Sequence, residues 1–112
     1  MRSERLLHSE DYRRTIENRC RSDDQLFTVY AAKRKTGNAR LGITVSRRVS
    51  IKAVRRNRLK RRVRESFRNH KKPLAGLDLV VIARQEANKT GRLEVDQSLL
   101  GHWIRVGEKC GK

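Results

Sequence analysis

The chain has no long apolar run. Its longest, Leu79 to Ala83, is far short of the roughly 18 residues a membrane-spanning helix needs, which excludes such a helix. The opening Met1-Arg2-Ser3-Glu4-Arg5 leads into no apolar signal core, so a cytoplasmic protein without a membrane partner is expected. Cysteine is scarce. Cys20 and Cys110 show no CxxC spacing and no neighbouring His, which argues against a zinc site; two free thiols in a reducing compartment are expected. Pro73 is the single proline, and no repeat or low-complexity stretch interrupts the chain, which argues against a disordered tract.

Paired catalytic groups are also missing. His8, His70 and His102 are scattered, and Asp11, Asp78 and Asp96 lie far apart in sequence. Asp23-Asp24 reads as a turn, and there is neither a Gly-rich phosphate loop nor a nucleophile motif. The chain is therefore expected to hold no catalytic residue, metal or cofactor of its own, and no small-molecule substrate.

Acidic residues are outnumbered, 12 Asp+Glu against 29 Lys+Arg, giving a net charge of +17 and a pI near 11.3. Self-repulsion at that charge opposes compaction, and a polyanion relieves it. Nucleic acid is the first candidate, because each neutralised phosphate releases condensed counterions.

At 112 residues the chain has room for one core. A helix is expected over 10–19, with Ser9 as cap, Glu10 and Asp11 at its positive end, Tyr12 and Ile16 on one face, and Leu6 and Leu7 packing below. A short strand near 19–22 precedes the Asp23-Asp24 turn. Residues 26–32 alternate as a strand, with Phe27, Val29 and Ala31 opposite Leu26, Thr28, Tyr30 and Ala32. After a turn at 35–38, residues 40–46 form a strand, and the hairpin-sized connection predicts that these two strands pair antiparallel. The nearly unbroken apolar run 77–83 reads as a central strand covered on both faces. A polar loop over 84–92 leads to a last helix, 93–106, with Val95, Leu99, Trp103 and Val106 on its buried stripe and a frayed tail after it. The class is α+β: a single domain with a mixed sheet, helices packed on it, and an ordered core over about 4–106.

Residues 47–68 carry eleven Lys or Arg, nine of them Arg, against the one acid Glu65. A solvated helix face normally mixes signs. Here like charges recur at helical spacing, a destabilising pattern that a polyanionic partner offsets. Leu59, Val63 and Phe67 give the run a narrow apolar stripe for docking. At about 100° per residue, Asn57, Arg61, Arg64 and Arg68 fall opposite that stripe, Arg56 and Lys60 beside it near the sheet, and Arg58 and Arg62 on the other flank. The arginine excess favours structured RNA, because the planar fork grips two phosphate oxygens and stacks on bases.

The segment Arg56-Asn57-Arg58-Leu59-Lys60-Arg61, with Arg64-Glu65 and Phe67, resembles the signature helix of the bacterial ribonuclease P protein family. Glu10-Asp11-Tyr12, Phe27-Thr28-Val29-Tyr30, the strand Leu41-Gly42-Ile43-Thr44-Val45-Ser46-Arg47-Arg48 and the strand Leu77 to Arg84 match the family in the same order. Two positions depart from it. Ser50-Ile51-Lys52-Ala53-Val54 replaces a Gly-Asn-Ala-Val step, and Ile16 stands where many members carry an aromatic.

The resemblance implies an αβββαβα fold with a four-stranded sheet and a left-handed crossover. It implies a catalytic RNA partner that holds the magnesium ions and cleaves precursor tRNA, and a protein that binds both RNAs without cutting either. It places the RNA-subunit contact on Arg47, Arg48, Arg56, Asn57, Arg58, Lys60, Arg61, Arg64 and Arg68. It places the precursor's 5′ leader in a cleft of Tyr12, Ile16, Thr28, Tyr30, Arg56, Asn57 and Lys60, where aromatic rings stack on bases with little sequence preference. A structural ribosomal protein of similar size and charge is the alternative.

Overall fold

The computed structural model describes residues 9–18, 20–33 and 39–110. The elements are α1 (Ser9–Glu17), β1 (Arg21–Asp23), β2 (Phe27–Lys33), β3 (Arg40–Thr44), α2 (Ala53–Asn69), β4 (Leu77–Ala83), α3 (Gln85–Lys89) and α4 (Arg92–Cys110). A single 3₁₀ turn at Lys72–Leu74 leads into β4. The Ser9 cap, the Leu6 and Leu7 packing and the turn at 35–38 fall outside the described residues and side chains.

The four strands form one mixed sheet in the order β1-β2-β4-β3. β4 pairs antiparallel with β2 and parallel with β3, so the expected β2–β3 hairpin does not form. The reason lies in β4 itself. Its side chains are apolar towards both faces apart from Asp78, and only a central position covers both. β4 therefore inserts between β2 and β3. The connection 34–39 has only to span about 10 Å, two strand spacings, which six residues reach easily.

One face of the sheet carries the core. Phe27, Val29 and Ala31 of β2, Leu41 of β3 and Leu77, Leu79 and Val81 of β4 meet Leu59, Val63 and Phe67 of α2 and Val95, Leu99, Trp103 and Val106 of α4. The helical and strand periodicities thus converge on one layer, as the sequence pattern implies. Trp103 sits edge-on to Phe67 and donates its indole N–H to Ser66 Oγ at 2.8 Å, which joins α4 to α2. Leu26 departs from its expected face. It precedes β2 in the Asp24 turn and packs partly against the core.

The charged turn at 23–24 proves to be an Asx-type turn. Asp24 Oδ1 accepts the amides of Leu26 and Phe27 at 2.8 and 2.9 Å, and its Oδ2 accepts the Ser98 hydroxyl from α4. Burial works against the Asp24 charge, but the bonds from Ser98, Phe27 and Leu26 and the nearby His102 outweigh it and hold its pKa at about 2. His102 is buried. Arg105 Nε donates to Ser22 Oγ at 2.7 Å, and the Ser22 hydroxyl lies 2.8 Å from His102 Nδ1. Nδ1 therefore accepts, which puts the proton on Nε2. Nε2 lies 3.2 Å from Asp24 Oδ2, close enough for attraction but poorly aligned for a hydrogen bond. Burial lowers the His102 pKa more than the Asp24 charge raises it, so the ring is neutral.

Three further expectations are corrected. Residues 84–92 are not all loop, because α3 forms there with Ala87 buried as its anchor. The tail does not fray at 107: α4 continues to Cys110, which is buried. Nor are the cysteines free thiols. Cys20 and Cys110 form a disulfide, with a Cα–Cα separation of 6.0 Å across 90 residues of chain. Sequence spacing cannot reveal a bond between positions that only the fold brings together.

Candidate nucleic-acid interface

The basic run is helical only from Ala53 onward, not from Arg47. Residues 46–49 form a turn closed by Val49 N–H to Ser46 O at 3.0 Å, and the Val49 side chain is buried in the core. That anchor presents Arg47 and Arg48, both exposed, on the outside of the turn. Arg56 donates to Ser50 O at 2.9 Å and holds this turn against the first turn of α2.

Within α2, Leu59, Val63 and Phe67 are buried while Asn57, Arg58, Arg61 and Arg68 are exposed and Arg56, Lys60, Arg62 and Arg64 half-buried. The rotation expected from the sequence holds for the stripe, for Asn57, Arg61 and Arg68 outward and for Arg56 and Lys60 beside the stripe, whereas Arg64, expected outward, is half-buried and the flanking Arg58 is exposed. Among the described residues, no Lys or Arg of α2 pairs with a carboxylate, although carboxylates elsewhere do pair with Arg14, Arg21, Arg40, Lys89 and Arg92. The helix also starts without a side-chain cap and without an acidic residue in its first turn, which leaves the positive end of its dipole unopposed. The combined field is an unneutralised cationic surface on a rigid support.

A second feature lies on the opposite face of the sheet. There the strand register forms three cross-strand rows: Thr28–Ile82–Thr44, Tyr30–Val80–Gly42 and Ala32–Asp78–Arg40. α1 covers part of this face. Tyr12 hydroxyl bonds Thr44 Oγ1, Asn18 Nδ2 donates to Ala31 O at 3.0 Å, and Arg14 donates to Asp78 Oδ2. Asp78 is fully buried, and Arg40 grips it with two bonds of 2.8 Å. A buried carboxylate of this kind persists only when paired, so Asp78 clamps α1 to the sheet.

Beside α1 lie the row Thr28–Ile82–Thr44, with Thr28 buried and Ile82 and Thr44 half-buried, and the half-buried Tyr30. Tyr12 and Ile16 of α1 are half-buried as well. At the rim, Arg21 is the cross-strand partner of Tyr30. The hydrogen bond to the Tyr30 hydroxyl, then the charge of Asp23, raises the Arg21 pKa above its ordinary value. This face of the sheet thus places aromatic, aliphatic and hydroxyl groups beside α1, with Arg21 at its edge.

The sequence-derived cleft set divides between the two faces. Tyr12, Ile16, Thr28 and Tyr30 come together, whereas Arg56, Asn57 and Lys60 belong to α2, which packs on the other face and meets the sheet at β3. Sequence reasoning missed Thr44, Arg21 and the Arg14–Asp78–Arg40 clamp. The alternation of β3 marks Thr44 as facing away from Leu41 and Ile43, but only the register shows that Arg21 faces Tyr30.

The ribonuclease P family model matches residues 1–107 of the chain. The chain belongs to the ribonuclease P protein family. It is 39% identical over 109 residues to the ribonuclease P protein component of Methylococcus capsulatus, covering 97% of this chain and 85% of that one. Identity to the component from Staphylococcus epidermidis is 37% over 109 residues, with 96% and 93% covered. Among solved structures, the ribonuclease P protein of Staphylococcus aureus superposes with a TM-score of 0.83 at 32% identity, covering 96% of this chain and 97% of that one. That of Thermotoga maritima gives 0.77 at 35% identity, covering 88% and 93%. Family membership also decides against the ribosomal alternative.

Proposed function

We propose that this ribonuclease P protein binds two RNAs with its two surfaces. The outward face of α2, with Arg47 and Arg48 in the preceding turn, takes the backbone of the catalytic RNA subunit. The groove between α1 and the sheet takes the single-stranded 5′ leader of precursor tRNA. The observation that carries the reading is the pairing pattern of the cations: α2 spends its apolar stripe on the core, and no carboxylate of the described residues neutralises its arginines.

Each surface suits its substrate. Arg61, Arg64 and Arg68 with Asn57 offer forked donors along one helix face, which matches a phosphate backbone. The half-buried Tyr12 and Tyr30 offer ring faces, which tolerate any base sequence. Arg56, Asn57 and Lys60 sit in the first turns of α2, between Arg47-Arg48 and Arg61, and add to the cationic surface offered to the RNA subunit. Among the described residues, no group of three or more His, Cys, Asp or Glu is placed to hold a metal ion. The proposal leaves the magnesium ions and phosphodiester cleavage with the RNA subunit.

The test of the groove is Tyr30→Ala in the reconstituted holoenzyme. Precursor bearing a leader should bind more weakly, by roughly 5- to 150-fold if one stacking contact of about 1–3 kcal/mol is lost, while mature tRNA binds as before. Equal losses for both RNAs would refute leader binding in the groove.

A further inference from the structure

Two large apolar side chains stand open at the start of α2: Ile51 is 83% exposed and Val54 69%. Val54 lies on the stripe assigned above to RNA. At about 100° per residue, Val54, Arg61, Arg68, Asn57 and Arg64 fall within about 80° of one another around the helix. A polyanion laid along this stripe therefore covers Val54, and Ile51, three residues earlier at the turn, extends the same end.

Phosphates offer nothing for an aliphatic side chain to contact. The apolar surfaces of RNA are base faces and ribose carbons. We infer that Ile51 and Val54 form an apolar footing for a base of the catalytic RNA, unpaired or at a helix end, while the surrounding arginines hold its phosphates. The inference rests on the reading of α2 as the RNA-subunit surface. Charge selects RNA rather than a protein as the occupant. Residues 25–64 contain no Asp or Glu, and the exposed Arg47, Arg48, Arg55 and Arg58 flank the pair in the chain. Burial of aliphatic surface releases no counterions, so this part of the affinity is independent of salt.

Salt dependence supplies the test. The probe is the transcribed ribonuclease P RNA of the same organism, titrated with the full chain across a range of salt. Ile51→Ser with Val54→Ser should weaken binding about tenfold at every salt concentration and leave the slope of log K against log[salt] unchanged. Both side chains are exposed, so the thermal midpoint should hold. Ile51→Val with Val54→Leu, which keeps the apolar surface, should bind as the parent does. Ile104→Ser, an exposed apolar site on α4, should have no effect. Unchanged affinity in the serine pair, while Arg61→Ala with Arg64→Ala lowers the slope, would overturn the footing and leave the RNA surface intact. If the arginine variant also fails to change the slope, both readings fall.

Discussion

Replacing Arg61 and Arg64 with Ala removes two cations from the α2 face without touching the core, since both lie on the side away from Leu59, Val63 and Phe67. Neither pairs with a carboxylate of the described residues, so no acid is left unpaired by the change. If each contacts one phosphate of the RNA subunit, the slope of log K against log[salt] falls by about 0.7–0.9 per contact, or about 1.4–1.8 for the pair. At about 0.1 M monovalent salt the same terms amount to roughly 25- to 60-fold weaker binding, and the gap closes as salt approaches about 1 M. The assay is anisotropy of labelled RNA titrated with protein at several salt concentrations. An exposed ion-pair partner elsewhere in the protein would give a different signature, a change in thermal stability with little change in slope. An unchanged slope would refute phosphate contact by these arginines.

Two further perturbations address the scaffold. Reduction of the Cys20–Cys110 disulfide, or Cys20→Ser with Cys110→Ser, should lower unfolding stability by roughly 2–5 kcal/mol, because the bond closes a long span of chain; identical denaturation curves with and without reductant would contradict the pairing. Acidification should destabilise the fold through two groups acting in the same direction. Below the ordinary His value of 6.5 the unfolded chain takes up a proton that folded His102 resists, and between the ordinary Asp value of 3.8 and about 2 the stabilising charge of Asp24 is lost. Asp24→Asn should therefore lose less stability than the parent across the acid end of a denaturation series, and equal losses would refute the role assigned to Asp24.

Much of this molecule is legible in the sequence because its two periodicities are clean. Leu59, Val63 and Phe67 at intervals of four fix both the helix and the face that its arginines present. The apolar run at 77–83 announces a central strand. The hairpin between β2 and β3 was expected from chain proximity alone, whereas the demand of β4 for cover on both faces decides the sheet order. The disulfide, the Asp78 clamp and the Arg21–Tyr30 pair depend on register and on long-range closure, which no local pattern encodes. The division of the cleft residues between two faces has the same origin. Arg56 and Lys60 lie beside the apolar stripe of α2, as expected, but the sheet stands between that stripe and α1.

The central claim is that α2 faces the catalytic RNA while the α1 groove faces the leader. Photocrosslinking in the assembled holoenzyme tests it most directly, with a photoreactive side chain placed at position 61 in one sample and at position 30 in another. The account predicts that position 61 links to the RNA subunit and position 30 to the precursor's 5′ leader. Links from position 61 to the leader, or from position 30 to the RNA subunit alone, would contradict it.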